Sequence, residues 1–516
     1  MIPPHGFGEI VKFWAHWRPD AIAITFDNCN VTWRELDGRA AALASELAHQ
    51  GLAPGDRISI VMENCIEYVE VLVASLYAGS VLVPINTRLT SDEVGFQVAN
   101  SESRFVITDA SLRPLLIGAK AADEKLAVIV LNSSDASDPD YETVIRSGQT
   151  LPRPTVHRDP SEILSIGYTS GTTGLPKGSI LTHGSWQASV TARCVTLGIT
   201  FRDSVVVPYS LAPTGGIQTA MVCLWSGARL VLEPDFEPGR LLGVIESEKI
   251  SVLMAPNIFF EQMLAHPDFD STDLSSLQVV LTGGSAVAAE MERAWRARGV
   301  PMTETCGMTE ASALGITVSP DFAEEKMGFA GVAGPWTEVR IVGPHFEELA
   351  IGEIGEIAIK GPEVMDGYWK NPEANAERMR DGWYRSGDLA TMDEDGYVKH
   401  SGRSNDMIKS GGLNIYPAEI EKIVSDLDPV NQVAVFGVPD EKWGETPLVM
   451  VYSEGREVTG AEVLGILEGR LAKFKYPRYL VVLDEPLPTN LLGKLVKAPL
   501  KDKLAGLGDL EQFRIR

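Results

Sequence analysis

Cysteine is scarce in this sequence of 516 residues: Cys29, Cys65, Cys194, Cys223 and Cys306 are odd in number, and no two share a Cys-x-x-Cys spacing. That suggests neither a disulfide framework nor a structural zinc site as the organising device. A reducing cytoplasm is the expected compartment. Positive charge is also short, with 45 Lys and Arg against 70 Asp and Glu and a net charge of −25. Such a balance argues against nucleic-acid or anionic-membrane partners, and a polyanionic substrate would need locally basic patches. No apolar run is long enough to cross a bilayer. The most apolar window, Tyr68 to Ile85, is interrupted by Glu70, Gly79 and Pro84 and reads as a buried helix feeding a strand. The opening Met1-Ile2-Pro3-Pro4-His5-Gly6 has no basic segment ahead of an apolar core, so no secretory signal is expected. Internal repeats and low-complexity tracts are missing as well.

What is present describes a globular enzyme rich in loops. Hydrophobic residues make up 44% of the chain, with 48 glycines and 31 prolines spread along it. This length predicts several folding units. Thr32-Trp33-Arg34-Glu35 resembles a capping box, and Leu36, Ala40, Leu43 and Leu47 carry a helix on to Gln50. Arg57 to Met62 then reads as a strand, Ile66 to Tyr77 as a helix stopped by Gly79, Val81 to Ile85 as a strand, Asp92 to Asn100 as a helix and Phe105 to Ile107 as a strand. Strands alternating with helices predict parallel α/β sheets. The polar stretch from Ser133 to Glu162 is expected to be a surface excursion. Further strands are expected at 204–207, 229–232, 251–254 and 278–281, and a β-rich subdomain after about Met327. From about Asp406 the chain carries its own helix and strand signals, enough for a small α+β domain.

The most informative stretch is Tyr168-Thr169-Ser170-Gly171-Thr172-Thr173-Gly174-Leu175-Pro176-Lys177-Gly178, which follows the apolar run Ile163 to Ile166. Glycines let backbone N–H groups close on an anion, hydroxyls donate further hydrogen bonds, and the lysine adds a point charge. This is a phosphate-handling loop. It is not the P-loop of kinases and GTPases, because Pro176 precedes the lysine and Gly178, in place of Ser or Thr, directly follows it.

The stretch resembles the signature loop of the adenylate-forming superfamily, which includes acyl-CoA synthetases, peptide-synthetase adenylation domains and beetle luciferases. The resemblance implies that Thr169, Ser170, Gly171, Thr172, Thr173, Gly174 and Lys177 handle the phosphates of ATP. Later stretches resemble further motifs of that family in the expected order. Thr282-Gly283-Gly284-Ser285 would line the nucleotide and acyl pockets. In Glu304-Thr305-Cys306-Gly307-Met308-Thr309-Glu310, the resemblance puts Glu304 and Thr305 near the adenine and Thr309 at the α-phosphate, while Glu310, with Thr169, holds Mg²⁺. A carboxylate beside phosphates is consistent with an intervening divalent ion. Asp388, in Trp383-Tyr384-Arg385-Ser386-Gly387-Asp388, would accept both ribose hydroxyls, and Arg403 would contact the ribose and phosphate region. Asn405 falls at the hinge position, Lys409, Gly411 and Gly412 on the strip facing CoA, and Lys494 at the lysine that bridges the substrate carboxylate and α-phosphate.

The implied architecture is α/β: a large domain over 1–404 with two parallel α/β sheets and a β-rich subdomain, and a smaller mobile α+β domain over 405–516. The implied reaction is ATP-dependent ligation of a carboxylic acid to coenzyme A through an acyl-AMP, with Mg²⁺, and with Lys494, Thr309 and Glu310 as its catalytic residues. Rotation about Asn405 would separate the two half-reactions. Three positions depart from the family's commonest pattern: Cys306 replaces an aromatic residue at the adenine, Leu211 a histidine beside the acyl pocket, and Asn405 a charged hinge residue. Small Gly215, Gly216, Gly283 and Gly284 with apolar Tyr209, Leu211, Met254 and Phe260 predict a roomy acyl pocket, suiting an aryl, arylalkanoic, cyclic or medium-chain acid. The alternative is a stand-alone adenylation enzyme that loads a carrier protein. Neither nucleic acid nor a membrane span is expected, and a homodimer remains open.

Overall fold

The computed structural model describes residues 6–123, 125–133, 138–156, 158–169, 175–283, 289–317, 326–343, 345–403, 408–415, 417–428, 430–454, 458–488, 500, 503–504, 506–508 and 510–515. Strand and helix order follow the alternation read from the sequence. Among the described residues one sheet has seven strands, in the spatial order Gly367–Tyr368, Lys177–Thr182, Ile163–Thr169, Val81–Pro84, Arg57–Val61, Ser103–Asp109 and Ala127–Leu131. Its last five strands are mutually parallel and the first two antiparallel. Helix Trp33–His49 starts at Thr32 with the anticipated reciprocal cap to Glu35, and helix Ile66–Ala78 stops at Gly79 in the left-handed region at φ +68°.

A second sheet of nine strands runs Val332–Ala333, Gly315–Thr317, Met302–Gly307, Val279–Gly283, Val252–Pro256, Ser204–Val207, Arg229–Leu232, Ile22–Phe26 and Cys29–Thr32. Its six middle strands are parallel, and antiparallel strands close both edges. Parallel strands covered on both faces need apolar residues on both sides, which explains why Val205, Val206 and Val207 are all buried. An antiparallel β subdomain is built on Glu338–Val342, Gly355–Lys360 and Trp383–Met392.

A smaller C-terminal domain has its own sheet, including Gln432–Asp440, Gly444–Tyr452 and Tyr479–Leu483. Its strands alternate between two cores: Val435, Val449 and Val451 pack under helices Pro417–Val424 and Gly460–Leu467, while Ala434, Phe436, Leu448 and Met450 fill the opposite face. No helix among the described residues is long and apolar enough to cross a membrane.

The stretch from Ser133 to Glu162 is more than a surface excursion. It contains the helix Tyr141–Gly148, with Tyr141, Val144, Ile145 and Gly148 buried. The Tyr141 hydroxyl donates to Glu70 Oε2 at 2.8 Å, and Arg39 bridges Glu70 and Glu142 at 2.5 Å each. A fully buried carboxylate needs such partners, so this short helix completes the core around Glu70.

Candidate active site

The phosphate-loop residues 170–174 join two antiparallel strands, with Thr169 opposite Lys177, Tyr168 opposite Gly178 and Gly167 opposite Ser179. A hairpin, not a strand running into a helix, therefore presents the loop, which separates it structurally from the P-loop arrangement. Ser170, Gly171, Thr172, Thr173 and Gly174 lie outside the described residues, as do Gly284, Asn405 and Lys494.

The ends of three elements meet beside that hairpin. A Cβ on Gly167 would stand 3.0 Å from both Thr214 Oγ1 and Thr309 Cγ2, so glycine lets the helical turn Thr309–Ala311 approach the strand. Glu310 follows, with Oε1 3.4 Å from Thr169 Oγ1 and accepting from the Tyr368 hydroxyl at 3.0 Å. Tyr384 stands 3.0 Å from Tyr368 through their hydroxyls. Burial pushes the Tyr368 phenol well up, and the Glu310 carboxylate adds to this, so it stays protonated and donates. The Lys177 ammonium lies 5.5 Å over the Tyr368 ring, and burial lowers its pKa. Thr169, Lys177, Glu310, Tyr368 and Tyr384 thus form one cluster, of which Tyr368 and Tyr384 escape sequence reasoning. Their strands, Gly367–Tyr368 and Trp383–Met392, belong to different sheets, and nothing in the local pattern joins them.

Asp388 is buried and lies opposite Arg403 across paired strands. Glu356 fixes this neighbourhood: it accepts from Gly387 N at 2.7 Å and pairs with Arg378 and Arg385. Gly387, at φ +79°, sits in the bulge of the strand Trp383–Met392, directly before Asp388. Glu304 is buried on the strand Met302–Gly307, and the Thr305 hydroxyl donates to Ile316 O at 2.7 Å. Cys306 is partly exposed on the same strand.

The acyl-pocket expectations divide. Tyr209 is partly exposed at the end of the parallel sheet, with its hydroxyl 3.1 Å from Thr219 Oγ1. Asn64 holds this segment, donating to Tyr209 O and Glu233 O at 2.8 and 2.9 Å and accepting from Leu211 N at 2.8 Å. Leu211 itself is fully buried in the main core, and Met254 packs in the same cluster. Phe260 is also fully buried, edge-on to Trp295 at 5.3 Å. The aromatic beside Tyr209 is its neighbour Phe259, at 6.4 Å, which stacks on Phe236 at 3.7 Å. One residue along a helix turns a side chain by roughly 100°, which separates Phe259 from the core-facing Phe260.

The glycines divide likewise. A Cβ on Gly215 meets nothing within 4 Å, whereas one on Gly216 would stand 2.5 Å from Ser210 O, and one on Gly283 2.5 Å from Thr305 O. Of the three described, Gly215 opens onto space, and Gly216 and Gly283 permit backbone contact. Gly215→Ala is expected to leave thermal stability unchanged while raising KM for the bulkiest acid accepted. Gly216→Ala costs about 2 kcal/mol of stability by overpacking, read as a fall in unfolding temperature.

In the C-terminal part, Gly411 and Gly412 adopt φ +57° and +78°, and a Cβ on Gly412 would lie 3.2 Å from Pro256 and 3.7 Å from Ile258. The glycine turn is therefore seated against the end of the strand Val252–Pro256, next to the segment bearing Phe259. Lys409 N donates to Glu445 Oε2 at 2.8 Å within the small domain.

Residues 11–369 match the model of the AMP-binding enzyme family, and residues 419–494 match that of the AMP-binding enzyme C-terminal domain. The chain belongs to the AMP-binding enzyme family. It is 37% identical to a feruloyl-CoA synthase of Amycolatopsis sp over 94% of this chain and 96% of the relative. It is 35% identical to an indoleacetate–CoA ligase of Aromatoleum aromaticum over 96% and 97%. Among solved structures, a double mutant of o-succinylbenzoate CoA synthetase (MenE) from Bacillus subtilis with its product analogue OSB-NCoA matches at TM-score 0.86 and 29% identity, over 96% of this chain and 98% of that one. The same synthetase with the acyl-adenylate OSB-AMP matches over the same shares and at the same identity with a TM-score of 0.71. The AMP-binding family member described here is thus an acid–thiol ligase by class, using ATP and CoA.

Proposed function

We propose that this AMP-binding enzyme is a carboxylic acid–CoA ligase acting on an aryl or arylalkanoic acid, with residues 1–404 and 405–516 as its two moving parts. The observation that carries this reading is the clustering of Thr169, Lys177, Glu310 and Tyr368 beside the phosphate-loop hairpin, with Gly412 set against Pro256 and Ile258, next to Phe259. Relatives named for feruloyl and indoleacetate substrates support the aryl preference, as do the partly exposed Tyr209, Phe236 and Phe259.

The chemistry has two displacements. A carboxylate is a poor acyl donor because its leaving group would be oxide. In the first step the carboxylate oxygen attacks the α-phosphorus of ATP, the bond to the β-phosphate bridge breaks, and pyrophosphate leaves. In the second, the CoA sulfur attacks the acyl carbon, the carbon–oxygen bond to AMP breaks, and the thiol proton goes to solvent. The protein supplies position and charge. Thr169, Ser170, Thr172, Thr173 and Lys177 hold phosphates, Thr309 reaches the α-phosphate, Asp388 and Arg403 hold the ribose, Glu304 and Thr305 flank the adenine, and Lys494 steadies the attacking carboxylate. Glu310 and the Thr169 hydroxyl, 3.4 Å apart, fit Mg²⁺. That ion takes one or two carboxylates and completes its shell with phosphate oxygens and water, so no larger carboxylate cluster is needed. Bound there, it would neutralise phosphate charge.

The test is release of AMP and pyrophosphate over a panel of carboxylic acids, with and without CoA. Turnover that requires CoA and yields an acyl-CoA by mass supports the reading. Pyrophosphate exchange that CoA does not carry to product would transfer the acceptor role to a carrier protein, and phosphate plus ADP would overturn adenylation altogether.

A further inference from the structure

Lys475 lies in the small domain, in the short helical turn Lys473–Lys475, and its side chain is 5% exposed. Its ammonium reaches Glu93 Oε1 at 2.9 Å and Glu419 Oε1 at 3.2 Å. Glu419 begins the small domain's own helix Pro417–Val424, whereas Glu93 belongs to helix Ser91–Ser101 of the large domain. One buried cation therefore joins two carboxylates from opposite sides of the domain interface. Glu93 is itself held rigidly, because its other oxygen accepts from Thr90 N at 2.9 Å and Thr90 Oγ1 at 3.1 Å in a capping box. None of this takes part in phosphate or acyl chemistry.

The contact is matched by a second one elsewhere on the small domain, where Gly412 meets Pro256 and Ile258. A rotation of the small domain that moves the glycine turn off the acyl side separates Lys475 from Glu93 as well. The structure also follows MenE with its product analogue more closely than MenE with its acyl-adenylate. On separation Lys475 keeps Glu419, and Glu93 returns to water at a helix N-terminus that favours negative charge. Neither charge is stranded in the interior, the outcome that makes breaking most buried pairs costly. The pair is built to hold and to release.

We propose that Glu93 and Lys475 form a reversible interdomain latch: a positioning pair that favours the arrangement in which the glycine turn faces the acyl site and the thiol attacks. This rests on the ligase reading above and adds which residues set the balance between the two half-reactions. Breaking the latch slows thioester formation and leaves adenylation intact, a split that a purely structural pair would not give.

The experiment uses the full-length enzyme and measures the half-reactions separately. ATP–pyrophosphate exchange with the best acid of the panel reports the first. Acyl-CoA formation from supplied, synthetic acyl-AMP of that acid reports the second. Glu93→Gln keeps a capping oxygen and removes the charge. It is expected to slow the second half-reaction about 10-fold, with exchange within about two-fold of the parent and the unfolding temperature little changed. Glu93→Lys, which opposes Lys475 with a like charge, should deepen the same split, and Glu93→Asp, which keeps the charge, should narrow it by restoring part of the thioester rate. Equal loss in both half-reactions, loss confined to exchange, or no change in either overturns the latch. A parent enzyme that makes no acyl-CoA from acyl-AMP overturns the ligase reading instead, so the two failures are distinct.

Discussion

Replacing Lys494 with alanine should lower ATP–pyrophosphate exchange about 100- to 1,000-fold while acyl-CoA still forms from supplied acyl-AMP near the parent rate. In the first displacement two anions, the substrate carboxylate and the α-phosphate, must approach to bonding distance. Their repulsion falls only if a cation lies between them, and the resemblance gives that position to Lys494. In the second displacement the acyl-phosphate bond already exists and breaks toward AMP, which needs no such bridge. The size of the loss is that of removing one group that stabilises developing charge in a transition state. Equal loss in the two half-reactions would remove Lys494 from this role. The mutation is the mirror of Glu93→Gln, and a double variant should be slow in both steps.

Gly148→Ala is expected to be among the most destabilising single-methyl additions in the chain. An ideal Cβ on Gly148 stands 1.9 Å from the carbonyl oxygen of Ala42, in the middle of helix Trp33–His49. The obstacle is backbone, which has no rotamer to adopt. Nor can the helix Tyr141–Gly148 back away without losing the Tyr141–Glu70 hydrogen bond and the buried Val144 and Ile145. Overpacking costs about 1–3 kcal/mol where side chains can shift, and about 3 kcal/mol or more is expected where they cannot. Gly38, in the same Trp33–His49 helix, provides the contrast, since a Cβ there meets nothing within 4 Å. Gly38→Ala should stabilise by about 0.5–1 kcal/mol through helix propensity. Thermal unfolding of the two variants beside the parent checks both signs. A Gly148→Ala protein as stable as the parent would mean that the helix packs less tightly than described.

Features with a local cause are legible in the sequence. The reciprocal cap at Thr32 and Glu35, the left-handed stop at Gly79 and the strands Ser204–Val207 and Arg229–Leu232 are set by a few neighbouring residues, and they stand as read. The family was legible for the same reason: glycines, hydroxyls and a lysine within eleven residues carry the resemblance without reference to the rest of the chain, and the family model matches across them. The C-terminal α+β domain announced itself through its own alternation of apolar residues.

Other features had no local sign. Helix Tyr141–Gly148 offers only a few apolar residues in a polar stretch, and it is ordered by a carboxylate some 70 positions away, Glu70. Asn64 and Glu356 act on backbone groups, and any sequence carries those at every position, so neither partner could be read out. Phe259 and Phe260 are adjacent and chemically identical, and only the phase of their helix decides which one faces Tyr209 and which one faces Trp295.

By itself, then, the sequence determined the element order, the parallel α/β class and the family, because caps, periodicity and short motifs act over one or two turns of chain. Only the tertiary structure decided that Tyr368 and Tyr384 stand with Glu310, that Gly215 and not Gly216 opens onto space, and that Lys475 reaches across to Glu93. These depend on distances between elements far apart in the chain, and burial makes such distances costly to change.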